Sequence, residues 1–215
     1  MKHYSKKDKR AVCYLCGADQ AMGKLTRDHV FPNGLFPSPK PKNLLTLPCC
    51  EPCQKRFSLD EEYFRNRLAT SESVFLTTEG EKLWERVLPS YKKTPAKHTE
   101  ILNNLIDVEV KSSGGIYLGK RKGFRIDKER FDNVLMKILS GLHFYHSGKT
   151  ANSHEIVVLF DPVNSLNEYL KYIRFGQNLG DVVSYRGAVT DTENSSMWWI
   201  LFFKSHLVIG IITKK

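Results

Sequence analysis

The chain has 215 residues, of which 41% are hydrophobic and 11% aromatic, so it is long and apolar enough to bury a core, and disorder is excluded as the default. Lys and Arg number 33 against 23 Asp and Glu, a formal net charge of +10. This excess favours a polyanionic partner, nucleic acid or an anionic membrane surface, over an acidic protein substrate.

Export and membrane insertion are not expected. Residues 1–10 are basic and polar and lead into no unbroken apolar stretch, so no secretory signal is predicted. The most apolar window, residues 195–213, carries Lys204 near its middle, where a lysine costs about 3 kcal/mol in a bilayer. We therefore expect two strands around a turn there, a cytoplasmic protein and no membrane partner.

Four of the five cysteines have the spacing of zinc ligands. Cys13 pairs with Cys16 and Cys50 with Cys53, each two residues apart, and four such thiolates suit a tetrahedral structural Zn²⁺. An odd number of cysteines without an export signal argues against a disulfide framework. Two alternatives stay open: unliganded buried thiols, and Cys49 as a ligand instead of Cys50.

The segment between the cysteine pairs contains an acidic residue beside a histidine, Asp28 and His29. A carboxylate can bind a hard divalent ion, and an imidazole can take a proton from water near neutral pH. For an isolated pair of this kind, a surface or capping role is the commoner explanation. Next along the chain, residues 31–43 hold four prolines, which predict an extended, stiff surface loop.

The order of these motifs resembles the zinc-bound HNH endonucleases, also called ββα-metal or His-Me finger nucleases. The similar parts are Cys13-x2-Cys16, Asp28-His29-Val30 with Pro32, Asn43-Leu44 with Leu47, and Cys50-x2-Cys53 with basic residues directly after it. The match runs from Cys13 to about Phe57, and residues 57–65 also look like the flank of uncharacterised bacterial HNH proteins. The resemblance implies an N-terminal ββα-metal finger, which we place in a domain of residues 1–70.

The resemblance also implies roles for single residues. His29 would be the general base that activates water, Asp28 would bind a catalytic Mg²⁺ or Mn²⁺, and Asn43 would hold the loop and orient His29. Gln54 stands where the family has His or Asn and would be the second ligand, with an extra methylene that predicts weaker binding. Glu61 would lie about 10 Å further along the helix, too far to share the ion.

Basic side chains beside the motifs predict contacts with phosphates. They are Arg27, Lys40, Lys42, Lys55 and Arg56. A solvated basic face is the alternative for any one of them, and the basic run at residues 6–10 is more typical of a solubilising tail than of a DNA-gripping arm. The expected function is metal-dependent hydrolysis of phosphodiester bonds in nucleic acid, with DNA favoured. The alternative is a zinc-stabilised nucleic-acid-binding module that does not cleave.

Residues 71–215 are predicted to form an α+β domain of unknown role, with helices and a mostly antiparallel sheet. We expect a helix at residues 79–88 ending before Pro89, a linker near residues 89–97, and a β-hairpin of residues 106–110 and 116–120. A long helix should run from an Asp127 N-cap to Gly148. Short β-branched runs after residue 155 predict three or four strands, with a helix near residues 166–173.

Overall fold

The computed structural model of the chain describes residues 12–19, 23–112, 114–152, 154–160, 173–190 and 194–214. These residues form a mixed α and β structure in which every paired strand is antiparallel. The predicted helix near residues 166–173 lies almost wholly outside the described residues, and the basic run at residues 6–10 lies outside them altogether. None of the described helices is both long and apolar enough to cross a membrane.

A two-stranded sheet leads directly into the first long helix. Strand β1 (Leu25–His29) pairs with β2 (Thr46–Cys50), and helix α1 (Glu51–Ala69) begins at the next residue. Pro52 lies in the first turn of α1, where the N–H that a proline lacks would have no helical partner. The order of elements is therefore strand, strand, helix, with His29 at the end of the first strand.

The segment between β1 and β2 differs from the predicted surface loop. A 3-10 turn spans Asn33–Leu35, and Phe31 and Phe36 on either side of it are fully buried. Only the second half of the segment, after residue 37, is mostly exposed. The prediction is wrong for the first half because burying a large apolar side chain gains about 1.5–3 kcal/mol, which favours folding the loop onto the core.

Three helices follow α1, and they overturn the predicted linker. They are α2 (Glu72–Phe75), α3 (Thr78–Lys93) and α4 (Pro95–Asn103). Helix α3 passes through Pro89, and α4 begins at Pro95, so residues 89–97 are largely helical. Apolar side chains on both sides of Pro89 are buried along one face: Leu83, Val87 and Tyr91. Their burial offsets the cost of an interior proline, about 3 kcal/mol.

The next two predictions are confirmed. Strands β3 (Leu105–Lys111) and β4 (Tyr117–Phe124) form the expected hairpin. Helix α5 (Lys128–Ser147) begins where the Asp127 side chain accepts a hydrogen bond from the Arg130 N–H, and it ends at Gly148 with a left-handed φ of 75°.

The second half of the chain forms a five-stranded antiparallel sheet in the order β5-β9-β8-β7-β6. Its strands are β5 (His154–Phe160), β6 (Phe175–Asn178), β7 (Val183–Thr190), β8 (Ser195–Phe202) and β9 (His206–Lys214). The turn between β8 and β9 confirms the two strands expected in residues 195–213. Strand β6 was not predicted, because a four-residue edge strand leaves little periodicity in the sequence.

Helix α5 lies between the β1–β2 hairpin and the five-stranded sheet. A Cβ added to Gly141 would lie 2.8 Å from Val30 Cγ1, and one added to Gly210 in β9 would lie 2.1 Å from Leu139 Cδ2. Both glycines therefore permit close approach. The buried apolar residues form a cluster that extends from Cys13 to Ile212. The described residues on the two sides of position 70 thus share a core, and the boundary at 70 stays a prediction.

Candidate functional site

The four predicted zinc ligands meet at the start of α1. The sulfur atoms of Cys13, Cys16, Cys50 and Cys53 all lie within 4.8 Å of one another, and Cys16 Sγ is 3.7 Å from Cys50 Sγ. A tetrahedral ion with four sulfurs at about 2.3 Å places those sulfurs about 3.8 Å apart. The cluster therefore fits a metal ion held by four thiolates, and it is compatible with a structural zinc.

Backbone hydrogen bonds hold the first cysteine pair against the hairpin. The Gly17 N–H donates to the Cys13 carbonyl at 2.8 Å, with Gly17 at a φ of 75°, and the Tyr14 N–H donates to the Pro48 carbonyl of β2 at 3.0 Å. The second pair lies across the junction of β2 and α1. The two pairs thus approach each other because one turn and one strand end lie side by side.

Cys49 lies outside this cluster, and Cys50 lies within it. Its side chain alternates with that of Cys50 along β2, is fully buried, and places its sulfur 4.0 Å from that of Cys13. The hydrogen bond between these two thiols lowers the pKa of Cys13 to about 3, and the same bond together with burial raises the pKa of Cys49. Burial is the first cause of the raised pKa of the other ligands Cys16 and Cys53, so the bound ion itself would have to displace their protons.

Asp28 faces the protein interior and is already paired. It is 7% exposed, and its Oδ2 accepts a hydrogen bond from the Tyr14 hydroxyl at 2.7 Å and lies 2.8 Å from Lys137 Nζ. Lys137, on α5, is 2% exposed and also contacts the Glu61 carboxylate and the main-chain oxygen of His29, the latter at 3.2 Å. A buried ammonium group therefore joins β1, α1 and α5.

The surroundings keep this lysine charged. Burial by itself would lower the pKa of Lys137, but the carboxylates of Asp28 and Glu61 outweigh it, and the pKa is raised. Burial, with the Asp28 charge, raises the pKa of Tyr14 well above its usual range, so the hydroxyl remains a donor. The cluster at neutral pH thus contains a cation, a hydroxyl donor and two acidic side chains.

His29 has the protonation state that a general base needs. Its side chain is half-buried and lies on the face of β1 opposite Asp28, since neighbouring residues of a strand alternate. Burial lowers the pKa of His29 and the charges of Lys40, Lys137 and Arg27 lower it further, against the opposing effect of Asp28. The imidazole is therefore neutral at pH 7 and can accept a proton.

The other two residues that the resemblance singles out are exposed. Gln54 Oε1 accepts a hydrogen bond from Thr26 Oγ1 at 3.0 Å, which places Gln54 beside the β1 face that also carries Asp28. The Asn43 carbonyl accepts a hydrogen bond from Gln177 Nε2 at 3.0 Å. Among the described residues, no hydrogen bond joins the Asn43 side chain to His29.

Asp28 and Gln54 do not fit a shared divalent ion in this arrangement. An ion on Asp28 would share the carboxylate with Lys137, and at about 4 Å with an effective dielectric constant of about 20 a divalent ion and an ammonium repel by about 8 kcal/mol. Magnesium also keeps several of its waters, for which a residue that is 7% exposed leaves little space. We therefore assign no catalytic step to an ion at Asp28.

The five residues predicted to contact phosphates are all exposed: Arg27, Lys40, Lys42, Lys55 and Arg56. They differ in their partners. Arg27 Nη2 donates to Thr46 Oγ1 at 2.7 Å, and Lys40 Nζ donates to Asn33 Oδ1 at 2.9 Å. Lys55 forms an exposed ion pair with Glu51 at 2.5 Å. Arg27 and Lys40 thus keep their positive charge near His29 without a carboxylate among these contacts.

Lys137, Glu61 and Tyr14 belong to the site but were not predicted as members of it. Lys137 does carry a signal, because it is the only charged residue in the apolar stretch of residues 133–142. Glu61 was set aside because helix rise places it about 10 Å from Gln54. The lysine from α5 nevertheless joins Glu61 to Asp28, a connection that no spacing along α1 contains.

Comparisons of this chain with family models, with curated proteins and with solved structures found no match.

Proposed function

We propose that the chain is an endonuclease that hydrolyses phosphodiester bonds in nucleic acid, with His29 as the general base. The observation that supports this best is a half-buried His29 with a lowered pKa at the end of β1, beside the exposed cations Arg27 and Lys40. A neutral imidazole next to positive charge can activate water while the cations hold a phosphate. The net charge of +10 agrees with a nucleic-acid substrate, and we propose DNA as the form that is cleaved.

In this mechanism His29 takes a proton from water, and the resulting hydroxide oxygen forms a bond to phosphorus. The bond between phosphorus and the leaving alcohol oxygen breaks, and that oxygen takes a proton from solvent. Arg27 and Lys40 bind the non-bridging oxygens, on which charge builds up in the transition state. Because such a site contacts phosphate and not base edges, cleavage would be indifferent to sequence unless other residues contact bases.

Zinc in the four-cysteine cluster would fix the geometry of this site. It would join the Cys13–Cys16 turn to the start of α1 and so hold β1 and β2 in register. The HNH resemblance adds Mg²⁺ or Mn²⁺ as a cofactor of cleavage. That requirement remains part of the proposal, with neither Asp28 nor Gln54 assigned as a ligand.

A second candidate is a zinc-stabilised nucleic-acid-binding module that does not cleave. The observation that favours it is the pairing of Asp28 with Lys137, because the carboxylate expected to bind the catalytic ion is occupied. Binding by such a module would depend on its exposed cations. Its affinity would therefore fall with salt, by about 0.9 log units per phosphate contact for each log unit of salt concentration.

Cleavage of supercoiled plasmid separates the two candidates. Wild-type protein, His29→Ala and the control His206→Gln are incubated with Mg²⁺, with Mn²⁺ or with EDTA. His206 is the first residue of β9, and its Nε2 lies 2.9 Å from Ser71 Oγ, just beyond the C-terminal end of α1. We expect nicking by wild type and the control in the presence of a divalent ion, and none by His29→Ala. Equal cleavage by His29→Ala contradicts the role of His29. No cleavage by any protein, together with salt-sensitive binding, favours the module.

A further inference from the structure

Three contacts converge on the ammonium group of Lys137. Its Nζ lies 2.8 Å from Asp28 Oδ2 and 3.2 Å from the His29 carbonyl oxygen, and it also contacts the Glu61 carboxylate. These partners come from β1 and α1, while Lys137 comes from α5. Two carboxylates and a carbonyl around one positive charge are the oxygen donors that a bound metal cation would also have.

The position of Lys137 is fixed by packing on its own helix. Its neighbours Leu135, Ile138 and Leu139 are fully buried, and the close approach of Gly141 to Val30 holds α5 against the end of β1. A lysine on such a surface cannot turn away to solvent without opening the core. The ammonium therefore occupies the space beside Asp28 for as long as α5 stays packed.

We propose that Lys137 is the resident cation of the Asp28 site, so that Asp28 is the counter-ion of Lys137 and not a ligand of a divalent ion. The inference rests on the proposed nuclease, because only that function leads one to expect a metal at Asp28. Lys137 acts here as a positioning residue. At 2% exposure it does not reach a phosphate, but it holds Asp28 and the main chain of His29 in place.

The charges around the lysine agree with this assignment. The carboxyl groups of Asp28 and Glu61 both contact Lys137, and the Tyr14 hydroxyl donates to the Asp28 oxygen that Lys137 contacts. Glu61 is the more exposed partner, with a quarter of its side chain open to solvent beside a polar cleft of about 380 Å³ that Arg65 also lines. Asp28 is therefore the more deeply buried of the two carboxyl groups that Lys137 contacts.

The test measures metal binding directly, by electron paramagnetic resonance titration of Mn²⁺ into full-length, zinc-loaded protein. We compare wild type, Asp28→Asn, Lys137→Met, and the variant with both changes. Asp60→Asn is the matched control, since Asp60 is likewise paired with a cation, Arg130, at 2.9 Å. Asp28→Asn keeps an acceptor for Tyr14 and Lys137, and Glu61 remains as a carboxylate for the lysine. The zinc content and melting temperature of each variant are measured first, so that only folded proteins are compared.

We expect wild type, Asp28→Asn and Asp60→Asn to bind Mn²⁺ equally, within about twofold, as for loss of a screened charge. Lys137→Met should gain at least about tenfold in affinity, the range seen when a group next to a metal is changed, and the double variant should lose that gain. A tenfold weaker affinity of Asp28→Asn than of wild type, or no gain in Lys137→Met, overturns the inference.

The test does not depend on the nuclease activity. If Lys137→Met fails to retain one zinc per chain, the comparison of wild type with Asp28→Asn decides the question without it. If wild type cleaves no nucleic acid, the proposed function fails while the Mn²⁺ comparison still reports on Asp28. Conversely, an Asp28-dependent Mn²⁺ site in a protein that cleaves would overturn the role of Lys137 and leave the endonuclease intact.

Discussion

Replacing Cys50 or its neighbour Cys49 by alanine should have different effects on zinc, although the two residues are adjacent. Only the Cys50 sulfur belongs to the cluster in which all four sulfurs lie within 4.8 Å. Structural zinc sites bind with about 10–16 kcal/mol, so one ligand of four accounts for about 2.5–4 kcal/mol. Cys50→Ala should therefore weaken zinc binding by about 10²- to 10³-fold. Cys49→Ala should keep one zinc per chain and lose only core packing.

The assay combines zinc content, measured by elemental analysis of reduced protein, with thermal unfolding with and without a chelator. Wild type and Cys49→Ala should contain zinc and lose stability when it is chelated, whereas Cys50→Ala should contain less zinc and should lose it at a chelator concentration that leaves the wild type loaded. Zinc bound to Cys50→Ala but absent from Cys49→Ala would refute the geometric assignment. Absence of zinc from freshly purified, reduced wild type would refute the site itself.

Two further predictions concern the core around α5. His143 is fully buried, and this burial, together with the charges of His154 and Lys149, lowers its pKa to about 4. As the pH falls below about 6.5, this histidine is therefore protonated in the unfolded chain before it is protonated in the folded one. The folded state consequently loses stability between about pH 6.5 and pH 4. Between pH 7 and pH 5 in urea titrations, wild type should lose about 2 kcal/mol more than His143→Gln, and equal losses would contradict the assignment. Gly210→Ala places a Cβ 2.1 Å from Leu139 Cδ2 and should lower the free energy of unfolding by about 1–3 kcal/mol. The control is Gly114→Ala, whose Cβ would meet only Ser112 Oγ at 3.8 Å, and it should change the free energy of unfolding by less than about 0.5 kcal/mol.

Local patterns were sufficient where local chemistry decides the structure. Asp127 and Gly148 mark the ends of α5 because a cap and a left-handed glycine act within a few residues. The spacing of the zinc ligands likewise favoured Cys50 over Cys49, and the side chains of these two residues point to opposite faces of β2. The helix end predicted at Pro89 was wrong for the opposite reason. A proline does destabilise a helix locally, but the burial of the apolar face of α3 stabilises it, and that burial depends on tertiary contacts that the residues around Pro89 do not reveal.

The candidate site was predictable only in part because its charges come from distant parts of the chain. Asp28 and His29 are adjacent in sequence, and their resemblance to a metal-binding pair is local. Lys137 lies 108 residues after His29, and its contact with Asp28 depends on how α5 packs against β1. Spacing rules describe neighbours along one element, so they placed Glu61 correctly on α1 and still missed the lysine that joins it to Asp28.

The passage of α5 beneath the hairpin has a consequence for engineering. A fragment ending near residue 70 would keep the four cysteines and His29 but would lose Lys137, the cation that contacts Asp28. It would also expose the apolar face on which Gly141 of α5 approaches Val30. The segment with the four-cysteine cluster therefore depends on α5, and a chimera that contains this segment would have to include α5 as well.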